Sequence, residues 1–145
     1  VFISPNKSQA AHIKFICRAS IQGHILYTHP KTPSCAAAAF SAVADIERGK
    51  ELFRDAYIPI FGENMDIPDS ENLFKLFEKH ADDANRPRIF MGVGTEDFLY
   101  EDNVKLKKHI ESLDYDFTYR ESAGTHSWEF WDEYIRYALE WMFCR

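Results

Sequence analysis

Two kinds of hydrophobic pattern take turns along this chain. Short apolar runs bounded by turn residues are each followed by a longer stretch with apolar positions at helical spacing. Arg88-Ile89-Phe90-Met91-Gly92-Val93 lacks polar alternation, as expected of a strand buried on both faces. Cys35 to Ser41 is small and apolar in the same way, although alanine by itself favours helix. His12 to Cys17 and Asp116 to Arg120 complete a set of four predicted strands. Between Ser70 and Ala84, the residues Leu73, Phe74, Leu76, Phe77 and His80 fall on one helical face, with Asp69 or Ser70 placed to cap it. Further helices are predicted from about Glu101 to Leu113 and from about Ser127 to Phe143. A short one over Ala19 to Tyr27 is stopped by Thr28-His29-Pro30. No single period holds from Asp45 to Pro68, which reads as short helices with loops or a substrate-side excursion.

This β-α alternation predicts an α/β fold with a parallel sheet flanked by helices. The strands before Ser20, after Pro33, before Asp97 and before His126 should lie side by side in that order, joined by right-handed crossovers. At 145 residues the chain has the length of one domain. Its 46% hydrophobic and 28% charged content is that of a folded globular protein rather than a disordered one. A formal charge of −6 with no basic stripe argues against nucleic acid or an anionic membrane surface as a partner. No apolar run approaches the roughly 18 residues of a membrane helix. Cys17, Cys35 and Cys144 are odd in number and lack metal-like spacing, so reduced thiols and a cytoplasmic location are the expectation.

The chemistry concentrates in two loops. Gly94-Thr95-Glu96-Asp97-Phe98-Leu99-Tyr100 follows the strand at Arg88, and Ala123-Gly124-Thr125-His126-Ser127-Trp128 follows the strand at Asp116. In a parallel sheet both loops leave the same edge, the carboxyl edge where open α/β proteins carry out their reactions. An Asp that orients a His makes two members of an acyl-transfer triad, with Asp97 and His126 in the order such hydrolases use. Ser20, after the first predicted strand and before a short helix, stands where a nucleophile belongs. Glu96 and Asp102 are expected to be solvated, Asp102 also suiting the first turn of the next helix. Most aromatics among Trp128, Phe130, Trp131, Tyr134, Tyr137 and Trp141 are expected to pack on the sheet, with Trp128 near the site. His12, His24, His29, His80 and His109 show no ligand spacing, so no metal is expected.

These residues carry a resemblance. The Gly-Thr-Glu-Asp-Phe-Leu-Tyr loop, the Asp-Tyr-Asp-Phe-Thr-Tyr strand start and the Gly-Thr-His-Ser-Trp-Glu-Phe-Trp segment resemble the C-terminal part of tributyrin-esterase-type serine esterases, relatives of esterase D. Thr28-His29-Pro30-Lys31-Thr32 and Ser41 to Ile46 are similar to the stretch after the nucleophile in that family. The resemblance implies that residues 1–145 form the C-terminal half of an α/β-hydrolase domain, without its first strands. It implies a carboxylesterase for short acyl esters, with Ser20 as nucleophile, Asp97 as acid, His126 as base and the Ile21 N–H as one oxyanion donor. The second donor would lie on a loop outside the chain. A sheet edge left open beside Ile13 to Cys17 would offer a contact for a homo-oligomer. One feature departs from the pattern. The nucleophile motif Gly-x-Ser-x-Gly here reads Arg18-Ala19-Ser20-Ile21-Gln22, with Gly23 one place late. Arg and Gln side chains crowd positions where strand and helix backbones nearly touch. A non-catalytic hydrolase-like fragment or binding module is therefore the alternative reading.

Overall fold

A computed structural model describes residues 24–27, 36–84 and 86–143. Its strands are β1 (His24–Tyr27), β2 (Ala36–Phe40), β3 (Arg88–Gly94) and β4 (Phe117–Ser122). Its helices are α1 (Ile46–Leu52), α2 (Arg54–Phe61), α3 (Leu73–Lys79), α4 (Tyr100–Glu111) and α5 (Trp128–Phe143). The four strands form one sheet in the order β1-β2-β3-β4. β2, β3 and β4 are parallel and lie in the order predicted for the last three strands. The predicted strand at His12 to Cys17 lies outside the described residues. The place beside β2 belongs instead to β1, which runs antiparallel and pairs His24 with Phe40 and Tyr27 with Ala37. Residues 24–27 are thus strand where a helix was predicted. So short a segment gains little from helix formation, whose first turn is costly, whereas the edge of β2 supplies ready-made backbone partners.

The parallel strands alternate their side chains between two layers, as the pleat requires. Ala37, Ile89 and Met91 face α3 and α4, joining Leu73, Leu76, Phe77, Leu106, Ile110 and Tyr115. Ala36, Ala38, Phe40 and Phe90 face α5, joining Phe130, Trp131, Tyr134, Ala138 and Met142. Burying each of the larger side chains contributes roughly 1.5–3 kcal/mol relative to exposure. The alanines of β2 are therefore spacers in a sheet covered on both sides, and packing overrides their helix propensity. Gly92 has a sharper role, because a Cβ there would collide with the Tyr134 ring. Its absence lets α5 lie close against β3.

The helix starts refine the sequence reading. Asp69–Glu71 form a single 3-10 turn, and α3 begins only at Leu73. Its cap is Asn72 rather than Asp69 or Ser70, with the side-chain oxygen accepting from the N–H groups of Phe74 and Lys75. The stretch without a period from Asp45 is two short helices, the first capped by Asp45.

Asp102 is not solvated. It is 2% exposed on the inner face of α4, where Arg48 of α1 reaches it at 3.1 Å and Lys105 at 3.7 Å. Next to it, Asn103 donates to the Ala42 carbonyl at 2.9 Å and to the Leu99 carbonyl at 2.8 Å. Together these contacts tie the loop after β2, and α1 behind it, to α4. Burial pushes the Asp102 carboxyl above its ordinary value, against the opposite pull of Arg48 and Lys105. The folded chain therefore holds this proton more tightly than the unfolded chain. Its contribution to stability declines as pH rises from the ordinary carboxylate value toward the raised one. Asp102→Asn should remove that part of the decline, read as urea midpoints between about pH 4 and about pH 7. The same slope in both chains would show that the carboxyl titrates normally.

Candidate active site

β3 ends at Gly94 and the chain turns at once. The Asp97 N–H donates to the Gly94 carbonyl at 3.1 Å, and the Tyr100 N–H donates to the Asp97 carbonyl at 3.0 Å, which starts α4. The Asp97 carboxylate accepts from the Leu99 N–H at 2.9 Å, the local side-chain-to-backbone bond that makes Asp a good turn residue. Leu99 is fully buried and pins the loop to the core. On the neighbouring strand, β4 ends at Ser122, and the loop through Gly124 carries His126 back over the sheet edge.

The two side chains meet. His126 Nδ1 lies 3.1 Å from Asp97 Oδ2 and 3.3 Å from Oδ1. The carboxylate is sealed from solvent, while the imidazole keeps some exposure. An ionised carboxylate only accepts, so the Nδ1 proton donates to it and Nε2 of the neutral ring is left as the acceptor. That is the tautomer a general base requires. Two rings fix the imidazole plane. Phe98 packs at 4.7 Å between centroids and Trp131 at 4.7 Å edge-on. Trp131 is held in turn, because its Nε1–H donates to Ser41 Oγ at 3.0 Å.

Ser41 is the residue at this edge that sequence reasoning passed over. It follows β2 directly, is fully buried, and has a φ of 49°, a left-handed conformation that few non-glycine residues adopt. Its hydroxyl is occupied by Trp131, and its N–H donates to the Gly92 carbonyl at 2.8 Å. Ser41 is thus a strut beneath the histidine and not an exposed nucleophile. Ser20 and Ile21, with Arg18 and Gln22 around them, lie outside the described residues. Phe98 and Trp128 are 49% and 64% exposed beside the site, whereas Phe130, Trp131 and Tyr134 are buried in the core.

Among the described side chains, His80 is engaged with Asp83, and His109 with the Phe74 carbonyl and Glu78. Among the described residues no group of three or more His, Cys, Asp or Glu side chains converges. No helix among them is long and apolar enough to cross a membrane. A hollow of about 590 Å³, lined in part by Asp82, Arg86, Arg88, Asp114 and Asp116, opens at the strand starts, the opposite edge from His126.

No protein-family profile matches the chain. An acetyl esterase from Caldicellulosiruptor saccharolyticus is 34% identical over 88 residues, which are 59% of this chain and 33% of that protein. The S-formylglutathione hydrolase of Staphylococcus aureus superposes with a TM-score of 0.67 at 20% identity, over 92% of this chain and 51% of that one. The fluorophosphonate-binding serine hydrolase F of the same organism superposes with a TM-score of 0.64 at 22% identity, over 72% and 43%. The fold is of the α/β-hydrolase type. The chain spans about a third of the acetyl esterase it matches and about half of either solved hydrolase or less.

The acid loop and the histidine loop touch at Gly94 and Gly124, where a Cβ on Gly94 would run into the Gly124 backbone. Backbone cannot step aside as a flexible side chain can, so Gly94→Ala should cost about 1–3 kcal/mol in urea denaturation. An unchanged midpoint would mean that the loops are not pressed together.

Proposed function

We propose that this chain is the C-terminal half of a serine carboxylesterase domain acting on short acyl esters. The observation that carries the reading is the Asp97–His126 pair, 3.1 Å apart at the carboxyl edge of a parallel sheet. The sequence kinship with an acetyl esterase supports it. In this reading Ser20 Oγ attacks the ester carbonyl carbon while His126 Nε2 takes its proton. The Ile21 N–H stabilises the oxyanion, together with a donor from a loop outside these 145 residues. The tetrahedral intermediate collapses, and the alcohol leaves with the proton returned by His126. A water molecule, activated by the same imidazole, then releases the acid. Asp97 holds the ring tautomer and stabilises the imidazolium. The tributyrin-esterase likeness, a cytoplasmic setting, the need for no cofactor and pairing between copies through an open sheet edge belong to the same proposal.

A specific observation favours the second reading, a hydrolase-like fragment with no working nucleophile. A nucleophile elbow joins a strand to a helix. Here β1 begins at His24, so the stretch after Ser20 is shorter than one helical turn of about 3.6 residues. Arg18 and Gln22 stand in addition where the elbow needs small residues.

The experiment is labelling with a fluorophosphonate, alongside turnover of p-nitrophenyl acetate and butyrate. The 145-residue chain made alone should turn over these esters near background, since each ~1.4 kcal/mol of lost transition-state stabilisation costs tenfold. Supplying the remainder of the domain should raise turnover more than restoring glycine at positions 18 and 22. Robust turnover by the chain alone, abolished by Ser20→Ala, would show the elbow to be intact. Turnover lost in His126→Ala but not in Ser20→Ala would name a different nucleophile. No labelling with the full domain present would leave the non-catalytic reading standing.

A further inference from the structure

The acid loop grips the histidine loop at three points besides the Asp97–His126 bond. The Thr95 N–H donates to the Ser122 carbonyl at 2.9 Å, and the Glu96 N–H donates to the Gly124 carbonyl at 3.0 Å. The third contact comes from a side chain, with the Gly124 N–H donating to Glu96 Oε2. Glu96 and Gly124 therefore exchange hydrogen bonds in both directions, two residues before His126 on one side and one residue before Asp97 on the other. Gly124 has a φ of 156°, and a Cβ on it would strike the Phe130 ring. Its backbone is thus confined between Glu96 and α5.

We propose that Glu96 is a positioning residue for His126, its carboxylate holding the Gly124 N–H and thereby setting the height at which the imidazole meets Asp97. The role rests on the triad reading above. The backbone bonds at Thr95 and Glu96 extend the β3–β4 ladder and fix the strand ends only as far as the Gly124 carbonyl. From Gly124 the chain must turn to bring His126 back over Asp97, and the N–H of that same residue is met by a side chain rather than by the ladder. Glu96 supplies its acceptor. Without the carboxylate the Gly124 N–H would lose this partner, and the loop would keep the Glu96 N–H bond to the Gly124 carbonyl and, at the imidazole, the aromatic contacts of Phe98 and Trp131. Those contacts restrict the plane of the ring and not its distance from the carboxylate. What Glu96 provides is an acceptor oxygen at the right reach, so glutamine should replace it, whereas alanine, or methionine of similar length, should not.

The test is proton NMR of the full chain with 15N-labelled histidine imidazoles and backbone amides. It needs no turnover. In the unsubstituted chain the His126 Nδ1 proton should appear as a low-field resonance, and the Gly124 amide should be protected from hydrogen exchange. Glu96→Ala and Glu96→Met should lose the protection of Gly124 and broaden or lose the His126 resonance. Glu96→Gln should keep both. Urea midpoints close to that of the parent chain separate this local effect from general destabilisation, and the two acceptor-free variants guard against either one failing to fold. With the full domain present, the same variants should lower kcat with KM nearly unchanged, again rescued by glutamine. Unaltered His126 and Gly124 signals in both acceptor-free variants would overturn the proposal, as would a glutamine variant as damaged as alanine. Absence of the His126 resonance in the parent chain would overturn the Asp97–His126 pair itself, a different failure that takes the proposal with it.

Discussion

A hydrogen bond between a carboxylate sealed from water and a partly exposed imidazole sets terms that the rest of this molecule has to meet. The carboxylate is shielded on all sides, so its charge must be met by fixed donors. The Leu99 N–H and His126 Nδ1 both supply them, the first from the same turn and the second from the neighbouring loop. That second donor arrives in place only if two strands run parallel and end level. The ladder pairs Gly94 with Ser122, the last residues of β3 and β4, so both loops leave the sheet at the same height. A slip of one residue in that register would turn every side chain of β4 to the opposite face and carry the histidine loop with it.

The packing of α5 follows from the same demand. Trp131 stands on the helix that the histidine loop opens into, and its indole touches His126 on one side and the Ser41 hydroxyl on the other. For the indole to bridge two strand ends, the helix has to lie close over β2 and β3. The alanines of β2 and the bare Cα of Gly92 under the Tyr134 ring permit this approach. The left-handed turn at Ser41 then brings its hydroxyl under the indole. Small residues in the sheet are here a condition for the position of the histidine, through a helix that links the two.

Much of this was legible in the sequence, because burial leaves a periodic trace. β2, β3, β4, α4 and α5 all lie close to where the apolar pattern put them, and the two loops that meet were recognisable as strand-end loops bearing an acid and a base. What escaped reading depends on contacts that leave no period. Asp102 looked like a first-turn surface carboxylate, since nothing local announces that Arg48, on another helix, supplies its countercharge. Glu96 is exposed, as expected, but nothing local announces that its carboxylate accepts from the Gly124 N–H of the neighbouring loop. Ser41 carried no sign of a positive φ, which glycine would have announced. β1 was read as helix because its four residues are too few for either pattern to register, and the decision fell to the open edge of β2.

The direction of β1 bears on the nucleophile proposed for this chain. Because β1 is antiparallel to β2 and pairs His24 with Phe40, its first residue lies at the carboxyl edge, the edge that carries Asp97 and His126. Ser20 precedes that residue by four positions in the sequence. Proximity alone does not make a nucleophile. An elbow works because a parallel strand ends beneath the serine and a helix starts directly after it, so that the hydroxyl is raised and a backbone N–H points at the developing oxyanion. Only three residues separate Ser20 from β1 in the sequence, fewer than the roughly 3.6 of one helical turn. Asp97 and His126 thus meet the geometry that the proposed esterase asks of its acid and base, and the nucleophile of that proposal rests on the segment before His24.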